Sequence, residues 1–446
     1  MKSSIDITDT AMTPFRILIA GGGIGGLVCA LQLHRLGLAV EVFEASKEMR
    51  ALGVGINLLP HAVRVLRDLG LDAAMAETAI ETGEWAFFNR HGQSVWREAR
   101  GRAAGYAVPQ YSIHRGELQM ILYRAFCDRI GAEHLHLGAR VEAVEQNAQQ
   151  VQLHFATNSH PAVTGAALIA ADGIHSVVRR QFYPDEGEPR FAGRMMWRGV
   201  TETEPVLSGR SMVWVGNDAQ KFISYPISET LRQQGRARLN WVAAVQVPLD
   251  QTPPRSDWNR EVDRALFSQR YANWRFPWLD VPDIIRRAPA VFEFPMVDRD
   301  PLPAWTRGRV TLLGDAAHPM WPIGSNGASQ AILDTEALAQ QLAPHVAQAP
   351  GLTQALPNAL PAALPAALLA YEALRRPATA AVVLANRRGG PDQVLQLAEE
   401  RAPDGFDDIE QVIPLTEREA IAARYKQTAG FDKSLVNQQA QSQQQQ

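Results

Sequence analysis

A glycine cluster, Gly21-Gly22-Gly23-Ile24-Gly25-Gly26, follows directly on a short apolar run at 15–20 (FRILIA). The run suits a buried parallel strand. Leu27, Val28, Leu31, Leu33 and Leu36 then repeat with helical spacing until Gly37, a reasonable helix stop. Strand, glycines and helix in this order leave little choice for the turn between them. Gly21 permits the tight turn, Gly23 lets backbone approach a pyrophosphate, and Gly26 allows helix and strand to pack closely. The N–H groups at the helix start then favour phosphate. A second apolar run, 38–43, ends in Glu44, 18 residues after Gly26 and near the usual spacing for an acid that binds ribose hydroxyls.

Two further signatures stand at the ends of apolar runs. The run 166–171 delivers Ala171-Asp172-Gly173-Ile174-His175-Ser176, and 309–313 (RVTLL) delivers Leu313-Gly314-Asp315-Ala316-Ala317-His318-Pro319, with a helix expected from about Ala328. Residues 140–145 and 151–156 read as additional strands. Between 189 and 293 the texture changes to short, aromatic-rich strand patterns around Trp197, Trp214, Phe222, Tyr225 and Trp241. That pattern suits an antiparallel sheet walling a cavity. The expected fold is therefore α/β: a discontinuous Rossmann-like dinucleotide domain (15–188 and 295–390), an inserted antiparallel-sheet substrate domain (189–294), and C-terminal helices (391–436). Strands near 81–112 could join either part.

The chain has 446 residues, enough for two interleaved domains, and a net charge of −3, which gives no basic footprint for nucleic acid. Only Cys29 and Cys127 are present, so there is no disulfide framework, and no metal site is expected. Residues 1–14 read as a disordered leader without the apolar stretch of a signal peptide. The segment 337–371 carries no Asp, Glu, Lys or Arg, but its prolines at 344, 350, 357, 361 and 365 forbid a membrane helix. Its Ala/Pro-rich part, 343–367, reads as a surface insertion between two helices, and 437–446 as a disordered Gln-rich tail. A cytoplasmic monomer or homodimer without membrane contact is expected.

The three signatures, with YSIHRGEL at 111–118, MWRGVT at 196–201, PMVDRDPLP at 295–303 and NGASQAILD at 326–334, resemble the group A flavin-dependent aromatic hydroxylases. This is the superfamily of para-hydroxybenzoate and salicylate hydroxylases, and the likeness is greatest to its phenazine-carboxylate branch. The resemblance runs from about Phe15 to Arg388; the Ala/Pro insertion and Gln tail depart from the pattern. It implies non-covalent FAD, NADH or NADPH as co-substrate, and transfer of one oxygen from O₂ to an aromatic or heteroaromatic ring through a flavin C4a-hydroperoxide, with or without decarboxylation. It also implies cofactor contacts at Gly21, Gly23, Gly26, Glu44, Arg115, Val141, Asp172, Asp315, Gly327 and Ala328. The helix start near Ala328 would direct a partial positive charge at reduced flavin.

No residue is assigned as acid or base. Trp321 and Pro322, between Asp315 and Gly327, are expected beside the flavin edge, and Trp197, Arg198, Tyr225, Trp241 and Trp321 are the candidates for substrate contact. Each has a simpler reading. The aromatics could be core, Arg198 could sit in a surface ion pair, and Asp172 could cap the next turn. His175 and His318 read as structural, and His134 and His136 as lacking acidic partners at metal spacing. A dehydrogenase of the same fold that transfers no oxygen remains the alternative activity, and a flavin-binding scaffold a third.

Overall fold

Strand Ile17–Ala20 lies near the middle of a six-stranded sheet, parallel to Val40–Glu44 on one side and Ala167–Ala170 on the other. Val310–Leu312 runs parallel beyond Ala167–Ala170, and Leu135–Leu137 beyond Val40–Glu44. The registers align Ala20 with Phe43 and Ala170, and Ala170 with Leu312. Four strands therefore end side by side, spanning roughly 14 Å at the usual spacing. Gly21, Glu44, Asp172 and the Leu313–Asp315 corner all issue from that one edge. Backbone bonds from Gly21 N to Phe43 O (2.8 Å) and from Leu313 N to Ala170 O (2.9 Å) fix the exits. The strands are continuous apolar runs because both faces are covered. The three-stranded antiparallel sheet Val141–Gln146, Val151–Phe155 and Val163–Gly165 packs on one, with Phe155 against Phe43 and Gly165 against Leu18, and helices pack on the other. Ile24–Arg35 and Gly327–Ala347 bury Leu27, Leu31, Ile332 and Leu338 there. The computed structural model describes residues 15–51, 53–156, 160–251, 260–347 and 359–442.

The second layer is an eight-stranded, mostly antiparallel sheet in the order 260–261, 291–298, 190–203, 237–246, 220–226, 211–216, 84–88, 94–99. Of the strands between 81 and 112, Glu84–Phe88 and Ser94–Ala99 join this sheet, whereas Ile80–Glu81 and Tyr111–His114 pair in a separate small sheet with Gly55–Leu58. Strand Val291–Asp298 runs through position 294, so the sheet extends past the boundary expected there. Side chains alternate between faces along each strand. Trp197, Phe222 and Trp241 point to a core completed by Phe267, Tyr271 and Ile285, while their neighbours point toward the parallel sheet.

The C-terminal region corrects two expectations. Residues 343–347 finish the helix Gly327–Ala347, and 359–367 begin the long helix Ala359–Arg387, so the Ala/Pro-rich stretch is helical wherever it is described. Pro361 lies in the first turn, where its missing N–H has no partner to lose, and Leu364 and Leu368 anchor the next turns in the core. Residues 437–442 are not disordered: they continue the helix Lys433–Ser442, which buries Val436 and Ala440 at i, i+4 spacing. The Asn437 side chain ties it to Ala107 N and Gly105 O. Residues 1–14, 348–358 and 443–446 lie outside the described part. No described helix is long and apolar enough to cross a membrane.

His61, on helix Pro60–Asp68, is buried beside Phe431, and burial pushes its pKa down to about 3, with nearby Arg375 adding to the fall. The folded chain thus refuses a proton that the unfolded chain accepts below about 6.5. The unfolded state binds more protons between those two values, so stability falls as pH drops through that window. The expected slope from this residue approaches about 1.4 kcal/mol per pH unit below pH 6. Urea denaturation of wild type and His61→Leu between pH 7 and 4 measures it: the variant loses stability less steeply, and parallel curves would show that His61 titrates in place.

Candidate active site

One cavity of about 990 Å³ opens between the edge of the parallel sheet and the inner face of the eight-stranded sheet. That is the upper end of the size range for small-molecule sites, roughly 300–1,000 Å³. Gly21, Gly23, Glu44, Arg115, Val141, Asp172, Asp315, Gly327 and Ala328 all line it. Gly26 does not reach it. A Cβ at Gly26 would stand 1.9 Å from Gly21 O, so its role is the close helix-on-strand contact expected of the third glycine. Gly21 sits at φ +103°, where a side chain is strained, and a Cβ there would meet Ala171 O at 2.4 Å. By contrast, a Cβ on Gly23 or Gly327 would meet nothing within 4 Å. Two helix starts therefore present bare backbone to the cavity.

The acids around this edge differ in what they already hold. Glu44 accepts Gly22 N through Oε2 and Ser46 N through Oε1, both at 2.7 Å, which ties the glycine turn to the second strand. Its carboxylate has further lone pairs for ligand hydroxyls. Asp172 Oδ2 accepts Val177 N at 2.8 Å, capping the helix Val177–Phe182, while Oδ1 is buried without a hydrogen-bond partner. Burial holds its carboxyl above the ordinary range despite lowering bonds from Ser176 and Val177. Both the cap and the cavity-facing role thus have a physical basis in the same side chain. Asp315 opens onto the cavity; desolvation raises its pKa, against the pull of His318 and Arg115, with Asp334 adding to the rise.

Behind Asp315 lies a buried network that sequence reading did not identify. Asp334, on helix Gly327–Ala347, accepts Gly314 N (3.0 Å) and pairs with His318 Nε2 (2.6 Å) through Oδ2, and accepts Arg375 Nε (2.7 Å) through Oδ1. It fixes the corner that presents Asp315. The following loop is held from the C terminus: the Tyr425 hydroxyl accepts Asn326 Nδ2 (2.8 Å) and donates to Asn386 Oδ1 (2.7 Å). Ser325 in that loop takes φ 59°, an uncommon state for a residue with a side chain, at the point where the chain passes the cavity. Taken together, the open glycines, the orphaned Asp172 oxygen and the two helix starts fit the phosphates, ribose and flavin of FAD.

The opposite wall has an apolar centre. Met196, Ile223, Val242, Phe294 and Met296 line it, and Arg198 and Tyr225 stand at its edge. The Tyr225 hydroxyl (2.8 Å) and Arg198 Nη2 (3.0 Å) both donate to Gly55 O, and Gly55 N donates to Asn240 Oδ1 (2.6 Å). This clamps the small sheet to the large one. Arg198 has no carboxylate partner among the described residues, so it is not in a surface ion pair, and its Nε is buried without a bond. Desolvation lowers its pKa and raises that of Tyr225 to about 12.

Three expected substrate contacts are not in the cavity. Trp197 and Trp241 lie on the opposite face, Trp197 stacked on Phe267 with Nε1 donating to Glu293, and Trp241 donating to Thr201. Trp321 does not line the cavity but packs beside it, against the cluster of Met196, Val242, Ala244 and Met296 on the cavity face of the sheet, while its neighbour Pro322 does line it. His134 and His136 do have an acidic partner, Glu41, at 3.2 and 2.7 Å, yet no described cluster of three or more such side chains could hold a metal.

The FAD binding domain family matches residues 15–383. Phenazine 1,6-dicarboxylic acid hydroxylase of Lysobacter antibioticus is 44% identical over 384 residues, 85% of this chain and 90% of that protein. 3-Amino-4-hydroxybenzoate 2-monooxygenase of Streptomyces cremeus is 32% identical over 431 residues, 93% of this chain and 96% of its own length. A solved salicylate hydroxylase substrate complex aligns with a TM-score of 0.70 at 25% identity, covering 96% of this chain and 98% of that one.

Proposed function

The chain belongs to the FAD binding domain family and is an FAD-dependent aromatic monooxygenase using NADH or NADPH, and within that class we propose that it hydroxylates a planar, fused-ring aromatic carboxylate of phenazine type. Loss of the carboxylate on hydroxylation is an allowed outcome. FAD, when bound, supplies the electron transfer and oxygen activation. The chain supplies binding, orientation and dryness. Gly21, Gly23, Glu44 and Asp172 would hold the ADP half, Arg115 and Val141 the pyrophosphate and adenine surroundings, Asp315 the middle, and Gly327 and Ala328 the flavin ring.

The observation that carries the substrate reading is the pairing of a broad apolar surface with Arg198 at its edge, a cation that has no carboxylate partner among the described residues. Met196, Ile223, Val242, Phe294 and Met296 offer a surface for a flat ring, and Arg198 offers a planar fork for its carboxylate. Water kept out by that wall would otherwise quench the oxygen-transfer step. The Lysobacter relative's phenazine dicarboxylate points the same way. The reading also puts the enzyme in the cytoplasm, because it depends on intracellular NAD(P)H.

NADH oxidation by the FAD-loaded protein should accelerate with phenazine-1-carboxylate and much less with benzoate. Arg198→Met should keep its FAD and raise the KM for the acid about 10- to 100-fold, the value of one charge-assisted hydrogen bond of roughly 1.5–3 kcal/mol. Equal stimulation by unsubstituted phenazine in wild type, or an unchanged KM in the variant, would remove Arg198 from the carboxylate site.

A further inference from the structure

Lys221 and Asp392 form a buried ion pair in the cavity wall. Nζ and Oδ2 are 2.5 Å apart, each side chain is only 3% exposed, and both residues line the cavity. They come from distant parts of the chain. Lys221 sits on the cavity face of strand Gln220–Pro226, and Asp392 ends the one-turn helix Gly390–Asp392 after the long C-terminal helix, outside the 15–383 stretch matched by the family. The remaining oxygen of Asp392, Oδ1, is buried and has no hydrogen-bond partner. Asp218 Oδ1, at 3.7 Å from Lys221 Nζ, adds a second carboxylate near the ammonium.

A buried pair of this kind costs desolvation that apolar residues of the same size would avoid, and an unsatisfied carboxylate oxygen adds to the cost. Its presence beside the apolar centre of a ligand wall is explained by a ligand group that satisfies the oxygen. Position supports this. Lys221 pairs with Ala244 and Arg198 with Val242, which sets the two cations two residues along the strand and two strands apart, about 12 Å between Cα atoms. The apolar wall lies between them. Arg198 therefore addresses one end of a ring system and the Asp392 pair the other.

We propose that Asp392, fixed by Lys221, is a specificity-determining acceptor for the substrate. The acid this enzyme takes then carries a hydrogen-bond donor, such as a hydroxyl, an amino group or a protonated ring nitrogen, on the side away from the carboxylate held at Arg198. The assignment rests on the aromatic-carboxylate reading above. Because ring size and donor preference are separable, they are tested with two matched panels on the FAD-loaded full chain: benzoate against its amino and hydroxy derivatives, and phenazine-1-carboxylate against its amino and hydroxy derivatives. Kd comes from ligand-induced changes in flavin absorbance, and KM and kcat from NADH oxidation.

Wild type should bind donor-bearing acids about 10-fold or more tightly than their parents, within the range of a charge-assisted hydrogen bond. The double variant Lys221→Met with Asp392→Leu, which leaves no unpaired charge, should bring that ratio below about 3 in Kd and KM. Asp392→Asn, which keeps an acceptor and removes the charge, should reduce it by an intermediate factor, and it serves if the double variant does not retain FAD. No donor preference in wild type, or the same preference in both variants, overturns the assignment. Preference confined to the benzoate panel keeps Asp392 and overturns the fused-ring reading; binding of neither panel overturns both.

Discussion

Gly26→Val should give a protein that is less stable by about 3 kcal/mol and that retains almost no FAD after desalting. The clash is with backbone. A Cβ at this position would stand 1.9 Å from Gly21 O, and a carbonyl in a tight turn cannot swing away as a flexible side chain can. The helix Ile24–Arg35 would have to lift off the strand, carrying its phosphate-facing N–H groups with it. Gly23→Ala is the matched comparison. Its added methyl meets no protein atom within 4 Å, so stability should hold while FAD affinity falls, because the methyl enters the space meant for the ligand. Flavin absorbance per protein and urea denaturation separate the two effects. Equal FAD retention in both variants and wild type would mean that the cofactor lies elsewhere.

Asp334→Ala should lower stability by about 3–5 kcal/mol at pH 7 and release FAD, since it strands Arg375 and His318 in the interior and leaves Gly314 N without its acceptor. The pH dependence has a definite sign. Burial works to raise the Asp334 pKa, but His318 and Arg375 outweigh it, and the carboxyl is held below the ordinary range. A depressed folded value gives stabilisation that is present above the unfolded pKa of about 3.9 and is lost as pH falls through the folded value. Wild type and variant should therefore converge in strongly acidic solution. A loss under about 1 kcal/mol at pH 7, with FAD retained, would show that the Asp315 corner stands without this network.

The cofactor edge was legible because each signature sits at the end of an apolar run, and parallel strands deliver their ends to one edge. Gly21, Glu44, Asp172 and Asp315 needed only that rule to be gathered. The substrate wall was read less well for a reason visible in the sequence itself. Trp197 and Arg198 are adjacent on an extended strand and cannot face the same side, so choosing Arg198 for the cavity should have sent Trp197 to the core and brought in Met196. Size drew attention to the tryptophans, whereas burial against Phe267 and Tyr271 decided their side. The Gln-rich tail carried a signal too, in Val436 and Ala440 one helical turn apart. Asp392 carried none: its partner Lys221 lies 171 residues away, and nothing in local pattern says where the C-terminal helices dock.

The most direct measurement supplies labelled O₂ to the FAD-loaded enzyme with NADH and a phenazine carboxylate, and follows the label, the product and the nicotinamide together. One oxygen atom of the hydroxylated product should carry the label, with about one NADH consumed per product formed; without a ring acid, slower NADH oxidation should end in hydrogen peroxide. Unlabelled product, or NADH oxidation that proceeds to peroxide whichever aromatic acid is added, would contradict the account.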